Sequence, residues 1–344
     1  MALLRSGTSR RNAETVIRTV RPSDAEAVRR VLQVAFADEN RRMGLKDTRL
    51  PTIRDELLAF YLDRSPEASF VAEGRGGLFG FCLACRWGRV GWMGPIAVLP
   101  PAQGEGMGQR LIYASTTALR EAGVRTLGVE TMPRSYRNLQ LYTRLGMRFG
   151  PMTFDLSRVW KGEEAPLMDS EEAGGRGIVV QAVGPDGDAG ERERAMGIVA
   201  RLSSEVAEGL DYRLEASTTL DHRFGMILLA GDGSGGDIGF AVVHTEPYAR
   251  EEASGTARIN TLVMAPGPAL DARAGFREFT KAILARLSEA GLDAAIFRVT
   301  ADQPIALETL QEMGFRITHS DVRLTYRDLP VRDRPGTVHL SKWE

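Results

Sequence analysis

Two short motifs return at one fixed spacing. Leu119-x-Glu121-Ala122-Gly123 recurs as Leu287-x-Glu289-Ala290-Gly291, and the Gly146/Arg148 pair of LGMRF recurs as Gly314/Arg316 of MGFRI; both pairs of glycines lie 168 residues apart. Two motifs in a single gapless register indicate an internal duplication, so the chain is expected to build one supersecondary plan twice. The length of 344 residues accommodates two such units with little to spare.

Each unit reads as mixed α/β. In the first, the strand VIRTV precedes a helix that Ser23 or Asp24 is placed to cap, with Ala25, Val28, Val31, Leu32 and Ala35 on its apolar face. A second helical stretch, IRDELLAFYLD, leads to a hairpin, SFVAEG and LFGFCLACRW, across the turn residues Gly74 to Gly77. The strand WMGPIAVL, the helix QRLIYASTTALREAG, the strand TLGVETM, the helix YRNLQLYTRLG and the strand MRFGPMTFDL follow. The predicted organisation is a loose basic tail over 1–14, a first domain over 15–157, a charged linker over 158–176, a second domain over 177–330 and a tail over 331–344.

Composition excludes several classes. With 43% hydrophobic and 26% charged residues, the chain is an ordinary globular sequence. The apolar run FGMILLAG is far shorter than the roughly 20 residues a membrane span needs, and the start MALLRSGTSRR lacks the apolar stretch of a secretory signal. A cytoplasmic protein without membrane contact is expected. Cys82 and Cys85 have C-x-x-C spacing, but on a strand they face opposite sides, and no second cysteine pair exists; buried structural cysteines and no metal site are predicted. The net charge of −1 argues against nucleic-acid binding, yet residues 1–160 hold 24 Lys and Arg against 15 Asp and Glu, while residues 161–344 hold 20 against 30. A polyanionic ligand is therefore expected on the first half.

The segment Ile96-Ala97-Val98-Leu99-Pro100-Pro101-Ala102-Gln103-Gly104-Glu105-Gly106-Met107-Gly108 suits such a ligand. A β-branched strand runs into a proline-stopped turn and three alternate glycines, and then a helix. Glycines let backbone N–H groups converge without an obstructing Cβ, at the end of a helix where the dipole is positive. A Walker A loop would end Gly-Lys-Ser/Thr, and a dinucleotide fingerprint would need glycine at position 109, which is Gln.

Val98, Pro100, Gln103, Gly104, Gly106 and Gly108, in that order before a long helix, resemble the acyl-coenzyme A loop of the GNAT superfamily of N-acetyltransferases. A second signature of that family, an Asn, a Tyr four residues later, then Leu-Gly-Phe, is matched by Asn138, Tyr142 and Leu145-Gly146-Met147, with Met in place of Phe. The resemblance implies two tandem domains, each with a mostly antiparallel mixed sheet, a splayed central strand pair and flanking helices. It also resembles mycothiol synthase in length and layout, although there the C-terminal copy is the active one.

That resemblance implies transfer of an acetyl or other short acyl group from acyl-CoA to a primary amine by direct attack in a ternary complex. The amides of residues 103–108 would hold the diphosphate of acetyl-CoA, and pantetheine would pair along Ile96, Ala97 and Val98 as an added strand. The Val98 N–H would polarise the thioester, Tyr142 would act as general acid, and Asn138 would touch the pantetheine arm. The first half holds no histidine, so Glu130, at the end of its strand, is the candidate base, with water otherwise.

In the gapless register Gln103 corresponds to Asp271, Gly106 to Ala274, Gly108 to Phe276, Asn138 to Ala306, Tyr142 to Leu310 and Val98 to Pro266. The second copy is thus expected to bind no acyl-CoA and to pack on the catalytic domain. The acceptor, a small-molecule or peptide amine, would meet the loop ADENRRMGLKDTRLP; its Arg41, Arg42, Lys46 and Arg49 read first as a solvated basic loop and otherwise as partners of an acidic acceptor or of the cofactor's ribose phosphate, and Trp87 and Trp92 read first as core and otherwise as pocket lining. A monomer or homodimer is expected. Two other classes are open at this stage, a non-catalytic acyl-CoA sensor and a tandem scaffold without ligand.

Overall fold

The glycines of the repeated motifs share one backbone state. Gly123, Gly146, Gly291 and Gly314 all adopt the left-handed conformation, with φ of 86°, 91°, 77° and 84°. Each follows the last turn of a helix, where a residue with a Cβ would be strained, and this is why the duplication is clearest at those positions. The structure, a computed structural model, describes residues 15–45, 53–160, 178–248, 255–266, 271–326 and 336–342.

The first half runs β1 (Val16–Thr19), α1 (Ala25–Arg42), α2 (Asp55–Arg64), β2 (Phe70–Gly74), β3 (Gly77–Trp87), β4 (Val90–Val98), α3 (Met107–Glu121), β5 (Thr126–Thr131), α4 (Tyr136–Arg144) and β6 (Met147–Val159). The second repeats the order with β7 (Val179–Val183), α5 (Ala189–Val206), α6 (Arg213–Asp221), β8 (Gly225–Gly231), β9 (Asp237–His244), β10 (Thr256–Met264), α7 (Ala272–Glu289), β11 (Ala294–Thr300), α8 (Pro304–Glu312) and β12 (Arg316–Tyr326), and adds β13 (Val338–Ser341). Helix α1 buries Val28, Val31, Leu32 and Ala35 as its periodicity predicts. Asp24 does not cap it through its side chain; the carboxylate instead accepts from Arg18 at 2.7 and 2.9 Å and from the Arg21 N–H at 2.8 Å. Cys82 and Cys85 are buried and free. They join different core clusters on the two faces of β3, as strand alternation requires.

The halves do not pack as two separate sheets. All strands join one 13-stranded sheet in the order β1-β2-β3-β4-β5-β12-β6-β11-β10-β9-β8-β7, with β13 beside β10. Strand β12 of the second half lies between β5 and β6 of the first, and β6 lies between β11 and β12 of the second. Domain limits drawn at residues 157 and 177 therefore cut through a shared sheet, because each half lends the other a strand. The expected tail over 331–344 contributes β13, which is part of that sheet. The predicted tail 1–14 lies outside the described residues, as does the predicted linker 158–176 from residue 161 on, its first residues closing β6.

The exchange has an approximate two-fold axis. Thr153 and Asp321, 168 residues apart, are direct partners across β6 and β12. Around them sits a buried charge cluster in which Glu130 meets its own register-mate Arg298. Glu130 accepts from Arg298 Nε at 3.1 Å and Arg323 Nε at 2.6 Å, and Arg298 also donates to Asp155 at 2.8 Å and Asp321 at 2.6 Å. Four strands, two from each half, meet in this cluster. Replacing one partner strands the others without water, which costs about 3–5 kcal/mol. Arg298→Met, which keeps most of the volume, is expected to lower the unfolding free energy by about that amount in urea titration, with both halves melting in one transition.

Candidate functional site

Strands β4 and β5 run parallel only over Val90–Trp92 and Thr126–Gly128. Beyond that they part, because β4 carries an extra residue opposite Leu83 where the β3 register shifts between Cys82 and Ala84, and such a bulge bends the strand away from its neighbour. The opening is a cleft of about 740 Å³. Its floor is Met93 to Val98, one end is the glycine loop, one wall is α4, and the far side is formed by Leu32, Phe36, Ile53 and Tyr61.

The strand edge facing this cleft can be assigned. The Leu99 N–H donates to the Phe79 carbonyl at 2.8 Å, and Val98 is paired opposite Gly80. In an antiparallel ladder the N–H groups alternate sides, so those of Ile96 and Val98 point away from β3 and into the opening. The Val98 carbonyl on the same edge accepts from Gln103 Nε2 at 2.8 Å. Arg137 of α4 donates to the other end of that amide at 2.9 Å. Gln103 thus ties the loop to β4 and to α4.

The loop amides are aimed as expected, with one exception. The Gln103 N–H donates to the Pro100 carbonyl at 3.2 Å, so the open donors begin at residue 104. Gly104 and Gly106 have φ of 84° and 81°, and a Cβ on either would meet no atom within 4 Å. Both face open space. Gly106 is the N-cap of α3 and no side chain caps the helix, so its first-turn N–H groups are left for a ligand. Gly104, Gly106, Met107 and Gly108 line the cleft, whereas Glu105 does not. This cradle of open amides fits a diphosphate, and Arg137 and Arg144 of α4 add positive charge to the same wall.

Asn138 and Tyr142 lie one turn apart on α4, and both line the cleft. Asn138 donates to Thr131 Oγ1 at 3.2 Å, which fixes α4 against β5. Tyr142 is 5% exposed. Glu130 also reaches the cleft, but its surroundings do not suit a base. Burial alone would raise its pKa, yet the charges and hydrogen bonds of Arg298 and Arg323 hold it below the usual carboxylate range. Both carboxylate oxygens are engaged. The expected base is instead a buried anchor between the halves.

Around the acceptor loop the structure follows the plainer of the expectations. Arg41 and Arg42 pair with Asp38 on their own helix, and neither lines the cleft; Lys46 and Arg49 lie outside the described residues. Trp87 and Trp92 are each 1% exposed and belong to the core, with the Trp87 indole N–H donating to Glu215 at 2.5 Å. Glu39, His319, Asp321 and Lys342 also line the cleft, among apolar groups. Sequence reasoning missed His319 and Asp321, which the exchanged strand β12 brings in, and Lys342, which follows β13 beside β10. Arg137 and Arg144, two helical turns apart on α4, could have been found from the face they share with Tyr142's helix.

The second copy has lost this arrangement in three places. Strand β10 pairs with β11 over Thr256–Ile259, and beyond that β13 lies along its free edge from Thr261 to Met264. That edge corresponds to the open edge of β4. The pairing of β10 with β11 places Met264, rather than Pro266, at the position of Val98, so what blocks the edge is a covering strand and not a missing N–H. Helix α7 begins earlier in the repeat register than α3, and Asp271 caps it by accepting from the Ala274 N–H at 2.8 Å. A helical turn with its own carboxylate thus replaces the glycine loop. Phe276, Ala306 and Leu310 are fully buried.

Comparison with known proteins agrees with this geometry. Residues 26–147 match the model of the acetyltransferase (GNAT) family. Across both halves the fold is similar to a GCN5-related N-acetyltransferase from Sphaerobacter thermophilus, at 16% identity and a TM-score of 0.62, covering 93% of this chain and 98% of that one. It is also similar to a tandem GNAT protein from the clavulanic acid biosynthesis pathway, at 16% identity and a TM-score of 0.54, covering 91% and 98%. A protein of Pyrococcus horikoshii shares the fold at 15% identity and a TM-score of 0.63, covering 95% and 93%. No curated protein matches the chain in sequence. Among the described residues no helix is long and apolar enough to cross a membrane, and no group of His, Cys, Asp and Glu is placed to hold a metal ion.

The loop geometry makes a stability prediction that needs no ligand. Gly106→Val forces a β-branched residue into left-handed backbone and is expected to cost about 1–2 kcal/mol. Gly108→Ala sits in the helix, with only Leu141 Cδ2 at 3.8 Å from the new Cβ, and is expected to be neutral or to stabilise by up to about 1 kcal/mol. Urea titration of the two variants checks the contrast.

Proposed function

We propose that the chain transfers an acetyl or other short acyl group from acyl-CoA to a primary amine, using the first half alone as the acyl-CoA site. The observation that carries this reading is the pairing of two open donor sets in one cleft, the loop amides from residue 104 onward and the Ile96 and Val98 N–H groups on the splayed edge of β4. The first set suits the diphosphate. The second suits the amide-rich pantetheine arm, added along β4 as a further strand, with Asn138 beside it.

In this reading the Val98 N–H polarises the thioester carbonyl toward the attacking amine. The Tyr142 hydroxyl gives its proton to the departing sulfur as the C–S bond breaks, and the phenolate recovers a proton from the newly bonded nitrogen. The second half binds no acyl-CoA, since β13, Asp271 and Phe276 fill the places that the donor needs. It braces the first through the shared sheet. The sensor and scaffold readings have no observation that favours them over transfer.

Calorimetric titration with acetyl-CoA is expected to give one site per chain, not two. Gly108→Phe, which installs the residue of the silent copy, is expected to abolish that binding. Tyr142→Phe is expected to bind acetyl-CoA as the wild type does and to lose about 10²- to 10⁴-fold in kcat, read as free thiol released in the presence of amine. Two equal sites, or full turnover by Tyr142→Phe, contradict the proposal.

A further inference from the structure

Three of the four histidines are occupied away from the cleft. His222 pairs with Asp63 at 2.8 Å, and His339 meets the Tyr212 hydroxyl at 2.7 Å. His244 is enclosed between Thr219 and Tyr248, where burial and nearby cations push its pKa down to about 3. His319 differs. It lines the same cleft as Val98 and Tyr142, its side chain is 44% exposed, and it arrives on β12, the strand lent by the second half. Its Nε2 lies 3.0 Å from Asp321 Oδ2. A carboxylate only accepts, so the proton of the neutral ring sits on Nε2 and the lone pair on Nδ1.

We propose that His319 Nδ1 takes the proton from the incoming ammonium, with Asp321 as the positioning residue, so that the second half supplies the proton acceptor the first half lacks. The inference rests on the acyl-transfer reading above. One ammonium proton passes to Nδ1, the freed nitrogen lone pair forms the C–N bond, and the C–S bond breaks with the sulfur protonated by Tyr142. His319 then returns its proton to solvent. The charged groups acting on the imidazole are Asp321 on its own strand, Asp155 on β6 and Arg298 on β11, and Glu39 and Lys342 line the same cleft. The Asp321 hydrogen bond and the two aspartate charges outweigh burial and Arg298, which raises the imidazole above its ordinary pKa. Glu39, Phe36 and Tyr61 across the cleft suit an ammonium on an apolar body.

Two amines of one shape separate proton removal from everything else. Phenethylamine is protonated at pH 7, whereas O-benzylhydroxylamine is already neutral and needs no acceptor. Thiol release from acetyl-CoA is measured with each. His319→Asn is expected to lower the ratio of kcat/KM for phenethylamine to that for O-benzylhydroxylamine by about 100-fold or more. Asp321→Asn is expected to shift the acid limb of the phenethylamine pH profile to lower pH, since the neighbouring carboxylate no longer favours the imidazolium. His319 lies outside the buried core, so the ratio in His319→Asn can be read whether or not Asp321→Asn folds. A ratio within about two-fold of wild type overturns the inference and leaves acyl transfer standing. A wild type that binds acetyl-CoA but releases thiol with neither amine removes the transfer reading and this inference together.

Discussion

The contact between Glu130 and Arg298 organises the molecule. These residues hold equivalent places in the two copies, yet one is an acid and the other a base, and near the two-fold axis they face each other. Had the duplication kept either residue in both places, like charges would meet in a buried site. Divergence to opposite charge turned that clash into an attraction, and Arg323, Asp155 and Asp321 complete it. A buried ion cluster adds little net stability compared with apolar packing, but it penalises any register that unpairs it. In this sheet the register matters, because a slip of one residue between β6 and β12 would move every side chain to the opposite face.

Register fixes where the cleft lies and what enters it. Strand β12 is held against β5 by the pairs Val322 with Thr131 and Arg323 with Glu130, and two residues earlier on the same face is Asp321, then His319. The contribution of the second half to the site thus follows from the exchange, and no insertion or mobile loop is needed. The two splayed strand pairs had different fates under one architecture. One opening stayed lined by N–H groups and glycines, and the other was closed by β13 and a capped helical turn.

Much of the first half was legible because local chemistry and tertiary structure agree there. The apolar face of α1, the Gly74 to Gly77 hairpin and the glycine loop each depend on neighbours in sequence. That Val98, Asn138 and Tyr142 would meet at one cleft came from the resemblance to the GNAT family, since β4 and α4 are about forty residues apart in sequence. Glu130 illustrates where that reasoning ends. A glutamate at a strand end reads as exposed, and nothing within thirty residues reveals that two arginines more than 160 residues away will bury it. His319 is the same case with the opposite result, a polar residue on an apparently silent copy that the exchange carries into the cleft. The repeat register did contain a hint, since Asp321 stands opposite Thr153 and Arg298 opposite Glu130. Only knowledge that β6 and β12 change places converts those coincidences into contacts. The gapless register also misled, because it held for the helices and the strands after them but not for β10.

The lending of strands has a consequence for synthesis. A growing chain can form the hairpins of the first half as soon as they are made, but the gap between β5 and β6 stays open until β12 has been translated. At about 5–20 residues per second that delay is on the order of ten seconds or more. Throughout it the nascent polypeptide exposes two unsatisfied strand edges, a period when a chaperone, or a neighbouring ribosome's product, competes with the chain's own later segment.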